Sequence, residues 1–467
     1  MPNLAHLGRV ALTRSAAVVL VAVLMGAAAQ AALDSAGPAG PAGSADWADW
    51  ADWADHANWD LRGQATYIWQ HKPAFAAAYS GPHSLAAPRA LSYSFTATAA
   101  LGLRLADGLE AYANAELVQG VPFSGLTGMG GLSNGELQKS AGSNPIVYRA
   151  RLFVRRTWAL GDLDAGEDQV ADFNRLPGRL PTDRLVLVAG NLAVTDIFDL
   201  NPYAHDARSQ FMNWALLTHG SWDFAADARG YTWGAALEWV QGDWSLRAGR
   251  FAMPVESNGL KLDGQISRQY GDQVEAEHRH RAFGHEGTLR TLLWRNVARY
   301  GSFSDALATA GATAPSLDGV RRRQAKTGWG VGLEQGLTPS LRAFARIGAS
   351  DGAREAYTFA AIDRSASVGL ALSGQAWSRA KDSLGLAVAR NQLSAVHQRF
   401  LAAGGVDFFL GDGRLRYAPE VVVEAYAAIA LYDGMTVTLD LQRVQAPGYN
   451  ADRGPVRFVG LRLHADF

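Results

Sequence analysis

Cysteine is absent from the 467 residues, so neither a disulfide nor a thiolate metal site can form. A chain of this length does not need such staples. Long apolar runs are scarce as well: beyond residue 31 no uninterrupted apolar stretch reaches the roughly 20 residues that a membrane-spanning helix requires. Excess charge is also missing. With 43 Lys plus Arg against 44 Asp plus Glu, the formal net charge is −1, which argues against nucleic acid as a partner. Glycine and tryptophan are plentiful, at 50 and 14 residues. That composition suits an outer-membrane barrel with aromatic girdles and also a soluble propeller, so it does not choose between them.

The first stretch, "MPNLAHLGRVALTRSAAVVLVAVLMGAAAQAALDS", carries Arg9 and Arg14 ahead of the apolar run 16–29 and closes on the small-x-small pattern Ala29-Gln30-Ala31. Residues 1–31 are therefore expected to be a secretory signal peptide, the run being too short for an anchor. Residues 32–60 follow with "ADW" three times over, flanked by Gly and Pro. A period of three matches neither helix nor strand, so a disordered periplasmic lead-in is expected.

From residue 61 onward the polarity alternates with a period of two. In "SYSFTATAALGLRL", Tyr93, Phe95, Ala97, Ala99, Leu101 and Leu103 share one side, and Ser94, Thr96, Thr98 and Arg104 the other. "LEAYANAEL" follows after a tight turn with the same division. The terminal "GPVRFVGLRLHADF" sets Arg457, Val459, Leu461, Leu463, Ala465 and Phe467 against Phe458, Gly460, Arg462, His464 and Asp466. Candidate strands lie near 61–69, 92–104, 109–117, 148–158, 184–191, 231–240, 243–251, 269–279, 287–297, 327–336, 340–350, 364–376, 382–391, 420–431, 435–444 and 456–467. Mostly short connections, among which 159–183 is counted, alternate with longer ones. Sixteen tandem strands without a crossover helix would make a very large sandwich. The pattern predicts an all-β fold, a closed antiparallel up-and-down transmembrane barrel of about 16 strands over 61–467, with short periplasmic turns and long extracellular loops. The apolar rows are expected to face lipid.

The polar rows then face the lumen. They carry Glu110 and Glu116 beside Arg149, Arg151 and Arg155, and Glu275 and Glu277 beside Arg247 and Arg290. A lumen with this many ions is expected to be hydrated, with neighbouring rows of opposite sign bonded to each other. Mixed guanidinium and carboxylate groups suit a neutral polyol, whose hydroxyls both donate and accept. Loop 193–230 stands out for its length and for Asp196, Asp199, Tyr203, His205, Asp206, Arg208, Trp214 and His219. It is expected either to fold back into the mouth as a constriction or to pack as a lid over neighbouring loops. Within it, "DARSQFMNWALL" has the pattern of a short amphipathic helix.

The blocks "GQATYIWQHKPAFAAAYSGPHSL", "VPFSGLTGMGGLSNGE", "YRARLFVRRTW", "DLNPYAHDARSQFMNWALLTHG", "RGYTWGAALEW", "QYGDQVEAEH" and "YNADRGPVRFVGLRLHADF" resemble the carbohydrate-selective porin (OprB) family. The resemblance spans about 61–467 and rests on many spaced blocks; the lead-in repeat departs from the family. It implies a sixteen-stranded outer-membrane barrel that passes monosaccharides such as glucose by diffusion, with arginine and glutamate at its constriction. Carried onto this chain, it points to Arg149, Arg151, Glu116, Asp206 and Arg208. With the lumen rows, the expected pore-lining set is Glu116, Arg149, Arg151, Arg155, Asp206, Arg208, Trp214, Arg247, Glu275 and Glu277. Expected partners are monosaccharides or short oligosaccharides, outer-membrane lipid and lipopolysaccharide, and the barrel-assembly machinery. No cofactor, metal or nucleic acid is expected.

Other classes find weaker support. His205 and His219 sit near Ser209 and Ser221 without the spacing of a catalytic triad. "EAEHRHRAFGHE" matches no metal-ligand pattern. An energy-coupled receptor would require a folded plug before the barrel, for which 32–60 is short. A general porin without sugar preference and a structural or adhesin barrel remain as alternatives.

Overall fold

Side chains alternate in direction along a strand, so a segment with one oily and one polar row needs two different surroundings. A closed barrel in a membrane supplies both. The computed structural model describes residues 55–56, 58–139, 142–161 and 166–467. The expected signal peptide and most of the lead-in lie outside the described residues. Sixteen strands form the wall. In chain order they are β1 Trp59–Lys72, β2 Ala90–Ala106, β3 Leu109–Val121, β4 Gly142–Ala159, β5 Arg184–Leu192, β6 Thr232–Gln241, β7 Trp244–Ala252 and β8 Tyr270–Ala282. The second half comprises β9 His285–Tyr300, β10 Arg322–Gly336, β11 Leu341–Ser350, β12 Arg364–Ser373, β13 Ser383–Gln392, β14 Glu420–Tyr432, β15 Met435–Gln445 and β16 Val456–Asp466. Each pairs antiparallel with the next, and β16 closes on β1 from Val459↔His71 to Asp466↔Gln64. Asp55–His56 folds back on Trp59 and Asp60, so the end of the stretch assigned to the lead-in joins the sheet.

The rows face as their polarity demands. Leu293, Val368 and Leu439 are 50–57% exposed on the outside, whereas Glu424, Asp440 and Arg462 inside are fully buried. The terminal row ending in Phe467 faces outward. Outward aromatic side chains gather near the two ends: Trp69, Tyr93 and Trp233 at the long-loop end, and Trp158, Trp244, Phe283, Tyr432 and Phe467 at the short-turn end. This is the girdle pattern of a barrel in lipid. Among the described residues no helix is long and apolar enough to cross a membrane.

Two-residue turns join β2 to β3 and β14 to β15, through Asp107-Gly108 and Asp433-Gly434. Both glycines have positive φ, 65° and 73°, the left-handed geometry that tight hairpins require. The connection 160–183 departs from the short pattern expected of it. It carries its own small hairpin, Glu167–Gln169 with Gly178–Leu180, and buries Leu176 against Tyr112 inside the barrel.

At the opposite end the long loops turn inward or pack together. Their apolar residues form clusters with the inner wall, one around Phe198, Trp222, Phe224, Phe251 and Trp294, another around Phe211, Phe344, Tyr426 and Phe458. A third, with Phe303, Phe400, Phe409 and Tyr449, lies among the outer loops. Among the described residues three short α-helices occur there, α1 Trp214–Leu217, α2 Phe303–Thr309 and α3 Ala395–Ala402. Only the last four residues of the expected helix "DARSQFMNWALL" are helical, as α1. The physical reason is competition for its backbone, since the N–H groups of Met212 and Asn213 are taken by Glu424 of β14.

Candidate functional site

Loop 193–231 leaves β5 and crosses the interior of the barrel, of the two arrangements expected for it the inward one. Its attachments come from strands all round the wall. From β4, Arg151 makes a bidentate pair with Asp196, Nε to Oδ2 and Nη2 to Oδ1, both 2.7 Å. From β8, Glu275 accepts the backbone N–H of Asp199 at 2.7 Å. From β11, Arg346 pairs with the Asp199 carboxylate at 3.1 Å and donates to the Leu216 carbonyl at 2.9 Å. On β14 and β15, Glu424 accepts from Met212 and Asn213, while the Asn213 amide donates to Gln442 at 3.0 Å. From β16, Arg462 donates to the carbonyls of Ala207 and Gln210 at 2.8 and 2.7 Å. Arg208, within the loop, pairs with Glu116 of β3 at 2.8 Å and with Glu136 of segment 122–139 at 3.0 Å.

The second inward segment, 122–139, supports the first. Glu420 of β14 accepts the backbone N–H groups of Gly130 and Gly131, and the backbone N–H of Trp214 donates to the Leu132 carbonyl at 2.8 Å. Close approach to the wall is possible because β10 turns glycines inward. A Cβ on Gly330 would lie 2.7 Å from the His219 ring.

This geometry corrects the expectation of a uniformly wet, charged lumen. Glu275, Glu420, Glu424, Arg346 and Arg462 are at most 1% exposed. They are tolerated because each meets a charge or a backbone group of a loop; a buried ion without such partners would cost several kcal/mol. Between β6 and β10 a ladder of alternating sign lies along the wall. Arg247 pairs with Glu238 (2.8 Å), Glu275 (2.7 Å) and Glu277 (2.8 Å), and Arg290 with Glu277 (2.8 Å) and Glu334.

What remains open to solvent is a smaller set. The loop tip presents Tyr203, His205, Asp206 and Ser209, none fully buried. The side chains of Arg151 and Asp196 are 16% and 30% exposed. Burial would raise the Asp196 carboxyl, but the Arg151 guanidinium outweighs it and holds the group below the ordinary carboxylate range. Toward the short-turn end, Arg155 stands over Tyr112, 5.0 Å from its centroid, with Glu110 at 3.6 Å.

The residues singled out from the sequence thus divide. Arg151, Arg155 and Asp206 border open space. Glu116, Arg208, Arg247, Glu275 and Glu277 form the buried pairs that hold loop and wall. Trp214 is half-buried among the loops, 4.8 Å from Phe359. Arg149 is a correction: it lies on the outer wall, exposed, over the Trp233 ring at 5.1 Å. The cause is a β-bulge. Asn114 pairs with Arg151 but Ala115 with Arg149, so the extra residue Ala150 reverses the alternation. Sequence reasoning did not single out Tyr231, whose hydroxyl donates to Glu116 at 2.7 Å, or Gly330. An inward glycine run on β10, Gly328, Gly330 and Gly332, was the available signal for the latter.

Known proteins share this architecture. The high-pH structure of Pseudomonas putida OprB aligns with a TM-score of 0.66 at 17% identity, covering 88% of this chain and 94% of that one. The low-pH structure of the same protein aligns with a TM-score of 0.48 at 12% identity, covering 91% and 97%. The outer membrane channel DcaP of Acinetobacter baumannii gives 0.46 at 9% identity, covering 88% and 97%. Among curated proteins none matches the chain. Residues 83–467 match the family described as carbohydrate-selective porin, OprB family. With the closed sixteen-stranded wall and its inward loops, that match makes this chain a member of the carbohydrate-selective porin, OprB family, of outer-membrane barrels.

Proposed function

We propose that this chain passes small neutral sugars, glucose among them, by diffusion, with the crossing loop as its constriction. The observation that carries the reading is a partly exposed polar lining made of Arg151 with Asp196, Asp206 with Ser209, and Arg155 with Glu110 toward the short turns. Each sugar hydroxyl both donates and accepts, and the apolar face of the ring fits against tyrosine. Contacts of this kind are weak and exchangeable, as conduction requires. In this reading Arg151, Arg155 and Asp206 meet the solute. Glu116, Arg208, Arg247, Glu275, Glu277 and Trp214 set the shape of the passage, and Arg149 takes no part in permeation. The reading includes residues 1–31 as an export signal, the stretch after it as a periplasmic lead-in, the strand ending in Phe467 as what the assembly machinery reads, and lipid with lipopolysaccharide around the wall.

Single-channel recording in planar bilayers tests it. Stepwise open current is expected, reduced in a saturable way by added glucose. A membrane that stays silent removes the channel, and current that responds to glucose no more than to an equal concentration of urea removes the sugar preference and leaves a general porin.

A further inference from the structure

The outer wall is mostly apolar, and near the long-loop end it carries several sets of arginines. On β9 and β10 the outward Arg299 and Arg323 are exposed and directly opposed in register. On β7 to β9 the outward Arg250 has a bidentate partner in Asp272, at 2.7 and 2.9 Å, and Asp272 also faces Arg295 across the sheet. On β12 to β16 the outward arginines Arg364, Arg390, Arg443 and Arg457 are all exposed. Among the described residues no carboxylate lies within ion-pair distance of any of them. Each is within two residues of the long-loop end of its strand, above a row of Leu and Val: Leu384, Leu386 and Val388 below Arg390, Leu439 and Leu441 below Arg443. Arg443 and Arg457 are directly opposed in register. Ala366 faces Arg390, which sets Arg364 diagonally beside it.

Like charges directly opposed on neighbouring strands repel, and folding alone gives no reason to align them at the rim of a hydrocarbon-facing wall. A guanidinium is, however, suited to bidentate bonding of phosphate, and the edge of the apolar band is where lipid headgroups sit. We propose that the rim of β12 to β16 binds the phosphorylated headgroup of an outer-leaflet lipid, with Arg443 and Arg457 gripping one phosphate and Arg364 and Arg390, across β14, a second. The apolar rows beneath take the acyl chains. The inference rests on the reading that the wall is embedded in lipid; it is independent of what the bore conducts.

The test uses the full mature chain in detergent, titrated with a bisphosphorylated lipid A and, separately, with the same lipid after phosphatase treatment, with bound lipid counted by native mass spectrometry. Wild type is expected to retain the phosphorylated lipid at least tenfold better. The double variant Arg443→Gln/Arg457→Gln is expected to retain fewer copies of the phosphorylated lipid, while Arg250→Gln retains as many as wild type. Single-channel conductance of the double variant should match wild type, which also shows that it folds. Equal retention of both lipids by wild type, unchanged retention by the double variant, or displacement of the lipid by millimolar inorganic phosphate would each overturn the proposal. So would a change of oligomeric state in the double variant without a change in lipid retention, since the arginines would then belong to a contact between copies.

Discussion

At Gly330 a single hydrogen decides whether the crossing loop can lie against the wall. Any Cβ there would stand 2.7 Å from the His219 ring, which is packed against the strand by the loop's own attachments. Gly330→Val is therefore expected to push the loop off β10 without breaking the barrel. Single-channel conductance should rise and glucose should block it less; a channel of unchanged conductance would show that the loop does not set the aperture. Arg151 gives a second residue-scale prediction. Its pair with Asp196 is bidentate and mostly buried, so removing it should cost about 1–3 kcal/mol. Arg151→Ala deletes one positive charge and frees a carboxylate, so the reversal potential in a salt gradient should shift toward cation selectivity. A large fall in melting temperature with unaltered selectivity would contradict this.

Among the elements, the two inward loops depend on pairs that are buried from solvent. Arg208 is the cation between Glu116 and Glu136. Arg208→Ala leaves two buried carboxylates facing each other, a change of the kind that costs about 3–5 kcal/mol, and the heat-induced gel-mobility shift of the barrel should move to lower temperature. The outer loops have a different fastening. His397 of α3 is held between Asp363 at 3.0 Å and Asp407 at 2.9 Å and is stacked on Phe303. Burial alone would lower its pKa, but the two carboxylates raise it to about 9. Because the folded loops favour the charged imidazole, its contribution is full below the unfolded value of about 6.5 and disappears as pH rises through 9. Asp363 is held below its ordinary value, so its contribution is present at neutral pH and is lost as acid protonates it. Hydrogen exchange or limited proteolysis of loop 393–419 should accordingly increase above pH 9, and His397→Gln should remove that pH dependence.

The elements were legible in the sequence to a degree that their destinations were not. Most of the sixteen strands follow from period-two alternation, with oil on one side and polar groups on the other; β5 and β9 alternate poorly, because "RLVLVAGN" and "GTLRTLLWRN" carry apolar residues on both faces. The loop's route across the bore was visible only as unusual length. Its partners explain why: Glu424, Arg462 and Glu275 bind backbone N–H and carbonyl groups, which every residue carries and no pattern marks. Arg149 was misplaced for a related reason, since a one-residue bulge at Ala150 leaves the spelling of the strand intact while reversing its facing.

At the scale of the whole molecule, the outer wall fixes where a charge is tolerated. Leu439 lies midway along β15 and Leu91 at the rim of β2, both outward. Leu439→Arg should destabilise the barrel in lipid by about 2–4 kcal/mol, whereas Leu91→Arg should cost about 0–1 kcal/mol. Urea unfolding in vesicles measures both, and equal costs would mean that the wall does not meet hydrocarbon at graded depth. Inside the same wall, a loop tied to β3, β4, β8, β11, β14, β15 and β16 acts as a set of spokes within a rim. The lateral pressure of the surrounding bilayer tends to flatten an empty cylinder into an ellipse. Here any flattening must shorten some spokes and stretch others, so the opening keeps its outline as the membrane around it stiffens or thins.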